Sequence, residues 1–102
     1  MYSGKGVLRH QDHRIKATFG IHGILCSFSG AISQPAPSFR CSAVSLTYSA
    51  IAEMTDRRFF IGVVGPNDIR MSIGNEVIIS GQLDSPMDSA IRISGKVSWV
   101  QT

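Results

Sequence analysis

The feature that most constrains the fold is a two-residue rhythm of apolar and polar side chains that recurs in short bursts along the chain. Its clearest instance comes last: Ile91, Ile93, Val97 and Trp99 alternate with Arg92, Ser94, Lys96 and Ser98, and Gly95 keeps the phase. Successive side chains of a strand point to opposite faces, so this segment has one dry face and one wet face. Nowhere do apolar residues recur at i, i+3, i+4, i+7 over three turns, and only Ser45–Met54 could hold a short helical turn. The pattern predicts an all-β chain with little helix.

Punctuation between the bursts sets the order of the strands. Residues 76–83 are rich in β-branched side chains, and the polar run 84–88 has turn chemistry, so 76–100 reads as a hairpin. Residues 58–64 form a short apolar run that stops at Gly65-Pro66-Asn67-Asp68. In 39–54 the phase changes from Phe39, Cys41 and Ala43 to Val44, Leu46 and Tyr48, so a bulge or bend near Ala43 is needed to keep the apolar side inward. A similar change at Gly23, between Ile15–Ile21 and Ile24–Phe28, suggests a second bulge. Residues 30–38 form a Pro-containing surface loop. Five or six strands of this kind fit a barrel better than a sandwich, because bends in long strands help a small sheet close.

A chain of 102 residues is one domain's worth, so residues 1–102 are read as a single barrel. Hydrophobic residues make up 43%, enough for a core without staples. Cys26 and Cys41 make no disulfide framework, and the first sixteen residues lack the apolar stretch of a secretory signal. No apolar run approaches the ~20 residues that cross a bilayer as a helix. The expectation is a cytoplasmic protein with no membrane insertion.

No Gly-x-Ser-x-Gly elbow or phosphate-cradling Gly-rich loop is present, so the chain is read as a non-enzyme. His10-x-x-His13 followed by His22-x-x-x-Cys26 offers metal-ligand types, but the second pair straddles the expected bulge and lacks specific spacing. No metal and no resident cofactor are expected. The net charge is +3, and Lys5, Arg9, Arg14 and Lys16 crowd the first sixteen residues with Asp12 as their single acid. Arg9 and Arg14 bracket a short polar stretch and can fork onto phosphate oxygens. As a flexible arm, this leader could fold across the barrel's outer face toward residues 45–50. Binding of single-stranded nucleic acid would need wet aromatic side chains beside the cations, for which only Tyr48 and Phe59 are candidates, so nucleic acid is not the expected partner.

An arginine-bearing stretch before the first strand, a short turn-strand motif in the middle and a closing Gly95-Lys96-Val97-Ser98-Trp99-Val100 strand resemble the layout of the PilZ domain. Ile73-Gly74-Asn75-Glu76-Val77 is similar to that family's strand opening, and Ser45–Ile51 falls at its Asp/Asn-x-Ser-x-x-Gly motif. The resemblance implies a bacterial, six-stranded antiparallel barrel used in signalling, with cyclic di-GMP as the family's common ligand. It also implies candidate ligand contacts at Arg9, His10, Arg14, Ser45, Thr47 and Ala50. His10 stands where the family has arginine, Ser45 where it has Asp/Asn, Thr47 where it has Ser, and Ala50 where it has Gly. A Cβ at residue 50 would crowd a close backbone approach, and Ser45 lacks the carboxylate or amide that meets a guanine edge. The expected role is therefore regulatory docking onto another protein, of pilus, motility or secretion machinery, with cyclic di-GMP binding weak or lost. The alternative is a true cyclic di-GMP receptor, and the reading admits a homodimer.

Overall fold

A computed structural model describes residues 2–74 and 77–102. It contains β1 (Tyr2–Gln11), β2 (Arg14–Ile21), β3 (Ile24–Ile32), β4 (Phe39–Tyr48), β5 (Arg57–Val64), β6 (Asp68–Ile73), β7 (Val77–Gln82) and β8 (Ile91–Gln101), with one 3-10 turn at Ile51–Met54. All pairings are antiparallel, and the strands close into a barrel in the order β1-β2-β3-β8-β5-β6-β7-β4. Two meanders, β1-β2-β3 and β5-β6-β7, form opposite walls. β8 fills one seam between them and β4 fills the other.

The barrel has eight strands rather than six, and each difference has a local cause. The leader is no flexible arm: it is β1, paired on both sides with β2 and β4. Its inward positions are Gly4, Gly6, Leu8 and His10, so Leu8 is the single apolar side chain it sends inside and its alternation is hard to read. The glycines are there to make room. A Cβ on Gly4 would lie 2.8 Å from the Ile21 side chain, and one on Gly6 would lie 2.7 Å from the Phe19 ring. At His22-Gly23 both φ angles are positive, 51° and 78°. These residues form a tight hairpin turn joining two strands, not a bulge within one.

The hairpin expected over 76–100 does not form. β7 pairs with β4 and β6, whereas β8 pairs with β3 and β5. Glu76, where that hairpin was to begin, lies outside the described residues, as does Asn75 of the 73–77 motif. The bulge expected near Ala43 is present. Gly6 faces Val44 while Leu8 faces Cys41, so β4 carries an extra residue here, and Ser42 and Ala43 are both exposed. The apolar side of β4 stays inward on both sides of the bulge.

The inward side chains form one continuous core, with Phe19, Leu46, Phe60, Met71, Ile79 and Ile93 fully buried within it. Phe28 and Trp99 meet edge to face at 4.9 Å. Met54, fully buried, seals the end of the barrel beneath the 3-10 turn. The other end is spanned by the 33–38 and 83–90 connections, which are tied to the strands by Ser33 N–H to Ser94 O (2.8 Å) and Asp84 N–H to Arg40 O (2.8 Å). No helix among the described residues is long and apolar enough to cross a membrane.

Candidate functional site: a basic wall and the barrel mouth

All ten Lys and Arg residues lie in strands. Every one is exposed except Arg58, which is half-buried and donates through Nε to the Thr55 carbonyl at 3.1 Å. Among the described acidic residues, Asp68 alone lies in a strand. The barrel wall is thus cationic, and apart from Asp68 the described acids sit in turns and loops.

Strand register concentrates this charge. Arg9 on β1 is directly opposite Lys16 on β2 and directly opposite Arg40 on β4. Three exposed cations therefore stand in one row across three neighbouring strands. Like charges directly opposite one another destabilise a sheet pair, so such a row has a standing demand for an anion. Part of that demand is met by Asp84, whose carboxylate lies 4.0 Å from Arg40 Nε.

Arg9 and Arg40 also stand on the rim of a cleft of about 700 Å³ at the barrel mouth, between β1, the start of β4 and the 84–91 segment. That volume is in the usual range for small-molecule sites. His10 lines the same cleft but is 2% exposed, so it belongs to the interior and not to a surface ligand grip. Its Nδ1 lies 3.0 Å from the Pro37 carbonyl. A carbonyl can only accept, so Nδ1 carries a proton and donates it. Nε2 is buried with no hydrogen-bond partner among the described residues. The cleft thus offers guanidinium donors at its rim and apolar surface from Phe39, Met87 and Ile91.

Asp84 holds the cleft to the β4 bulge. Its carboxylate accepts from the Ser42 backbone N–H at 2.9 Å and from the Ser42 hydroxyl at 2.5 Å. The Ser42 hydroxyl contact chiefly holds this carboxyl below its ordinary value, helped by the Ser42 N–H and, more weakly, by Arg40. A carboxyl with a lowered folded-state value stabilises the fold fully above its unfolded value of about 4, and that contribution fades as pH falls through the folded value. Asp84→Asn is accordingly expected to flatten the acid side of the stability profile. Urea midpoints compared between about pH 6 and pH 2 provide the measurement, and an unchanged acid limb would contradict the assignment. The same carboxylate helps keep Cys41 protonated: burial first, and Asp84 second, push that thiol up to about 11.

The other sequence-derived candidates lie elsewhere. Ser45 accepts from Lys5 Nζ at 2.8 Å and faces Ser80 on β7, and Thr47 lies between Ser3 and Ile78. Ala50 precedes the 3-10 turn, its N–H bonded to Glu53 Oε1 at 2.8 Å. Lys5, not Arg9 or Arg14, meets the 45–50 segment. Arg9 stands four residues further along β1, about 13 Å away at the rise of a strand. Arg14 is exposed at the start of β2, between Gln11 and Ala31, and does not line the cleft. His13 and His22 sit in turns at opposite ends of β2, so the histidines and Cys26 do not converge. No group of three or more metal-ligating side chains converges among the described residues. Arg40 and Asp84 escaped the sequence reading because the row and the clamp depend on register across strands far apart in the chain.

Fold and site together define a class: a closed antiparallel barrel with a cationic wall and an arginine-rimmed mouth. No family model, curated protein or solved structure matches the chain.

Proposed function

We propose that this barrel is a non-catalytic regulatory module that docks through the Arg40–Arg9–Lys16 row onto an acidic surface of a partner protein. The observation that carries this reading is the row itself: three directly opposed cations with one neighbouring carboxylate. The resemblance to PilZ domains points to a bacterial signalling setting, with the partner in a pilus, motility or secretion system. Docking of this kind steers encounter electrostatically and weakens with salt.

Retention on a heparin column, a polyanion surrogate, tests the row against overall charge. Arg9→Glu/Lys16→Glu is expected to elute at clearly lower salt than Arg14→Glu/Arg57→Glu, which has the same net charge. Equal elution of the two variants would remove the row from the proposal.

A second reading is favoured by the mouth cleft, whose Arg9 and Arg40 could hold phosphates above the apolar lining. Under it the chain is a cyclic di-GMP receptor, using Arg9 but not the 45–50 strand. Calorimetric titration with cyclic di-GMP separates the two: heat of binding that disappears in Arg9→Ala selects the receptor, and no heat selects docking alone.

A further inference from the structure

The opposite wall carries a feature that the basic row does not use. Phe59, Ile61 and Val63 project outward from β5 at 69%, 66% and 43% exposure, forming an unbroken apolar stripe. At two residues per outward step the stripe is about 13 Å long. Cations stand along both sides of it. Val63 lies between Arg92 on β8 and Arg70 on β6, Ile61 lies between Ser94 and Ser72, and Phe59 faces Lys96. Lys96 Nζ sits 4.7 Å from the centre of the Phe59 ring, a cation–π contact. A shallow recess of about 370 Å³ opens between Phe59, Ile61, Ser72 and Gly74. Among the described residues, the outer positions of β8 and β5 carry no carboxylate, and Asp68 on β6 lies beyond the Val63 end.

We infer that the outer face of β5 is a docking site for an amphipathic helix of a partner protein, with an apolar stripe flanked by Asp and Glu. The apolar stripe needs cover and the flanking cations need anions, and such a helix supplies both. An extended segment would fit less well. β5 is hydrogen-bonded on both sides, so it has no free edge for strand addition, and an unpaired backbone laid across the stripe would lose its hydrogen bonds. A helix satisfies its own backbone. Its apolar residues at i, i+4 and i+8 rise about 6 and 12 Å, close to the spacing of Phe59, Ile61 and Val63. A second copy of this chain would bring basic rim against basic rim. Single-stranded nucleic acid would find one aromatic ring to stack on, since Ile61 and Val63 have no π face.

The test is a fluorescence-anisotropy titration of the intact chain with a labelled four-turn helical peptide bearing Leu at i, i+4 and i+8 and Glu on the flanks. Binding is expected, with affinity lowered by roughly tenfold or more in Ile61→Asp, as for a central contact of an interface. Weakening is also expected in Arg70→Glu/Arg92→Glu. The same peptide with Lys in place of Glu is expected not to bind. Arg9→Glu/Lys16→Glu is expected to weaken peptide binding far less than Arg70→Glu/Arg92→Glu, which keeps this site distinct from the basic row. Circular dichroism of Ile61→Asp checks that the barrel persists, and Ile61→Ser provides a milder variant. Peptide binding that is absent, or indifferent to both Ile61 variants, would overturn the inference. So would tighter binding of an oligothymidylate lost in Phe59→Ala, or a wild-type dimer in sedimentation that Ile61→Asp dissociates.

Discussion

Gly30→Ala will cost the barrel a large part of its stability. Gly30 lies on β3 where it meets β8, and a Cβ there would lie 2.0 Å from the Lys96 carbonyl oxygen and 2.9 Å from the Val97 Cα. These are backbone atoms in a hydrogen-bonded seam, so no rotamer change relieves the clash. The strands must separate locally. Overpacking of a well-packed site costs about 1–3 kcal/mol when side chains can yield. With backbone on the opposing side, the expected loss is at or above about 3 kcal/mol, against a typical domain stability of about 5–15 kcal/mol. Gly20→Ala is the control, since a Cβ on that exposed β2 residue meets nothing within 4 Å among the described residues. It should leave stability within about 0.5 kcal/mol or raise it slightly, because alanine restricts the unfolded chain. Urea denaturation of the two variants reads the difference directly. A Gly30→Ala barrel as stable as the parent would mean that the β3–β8 seam is not closed as described.

The second large effect separates neighbouring residues of β5. Phe60 is 1% exposed and faces Gly95 across the β5–β8 ladder, its ring filling the space that the glycine leaves. A Cβ on Gly95 would come within 3.0 Å of that ring. An aromatic side chain covering a cross-strand glycine is a recurrent way of stabilising such a position. Phe60→Ala removes the cover and opens a cavity, and the expected cost is about 3–5 kcal/mol. Ile61→Ser, one residue on, exchanges a side chain on the wet face and should change stability by no more than about 0.5 kcal/mol. Chemical denaturation reports both. If the two substitutions cost the same, the assignment of inner and outer faces of β5 would be wrong, and with it the docking stripe.

The row and the stripe occupy different walls. Arg9, Lys16 and Arg40 lie on β1, β2 and β4, whereas Phe59, Ile61 and Val63 lie on β5 between β6 and β8. A closed barrel suits such an arrangement because it has no free strand edge and presents side chains alone to its surroundings. Recognition then depends on charge and apolar pattern, which single substitutions can alter without disturbing the ladder.

What the amino-acid order determined by itself is the local face of each segment. The alternation over 91–99 places Ile93, Val97 and Trp99 inside, and the phase change near Ala43 demands the extra residue that β4 carries at Ser42-Ala43. Phe59 could be singled out as a wet aromatic residue from its sequence, although its companion candidate Tyr48 is buried. The alternation Ile69, Met71, Ile73 was also available as a signal for β6. Strand count and neighbours were decided elsewhere. β1 is a strand because Gly4 and Gly6 admit Ile21 and Phe19, which is a property of the partner strands and not of its own pattern. Tertiary closure alone made β8 the neighbour of β3 and β5, and put Arg40 beside Arg9 and Asp84 against Ser42. Alternation depends on side chains two residues apart, whereas these contacts join residues some thirty to seventy positions apart in the chain, and only the closed sheet brings them into register.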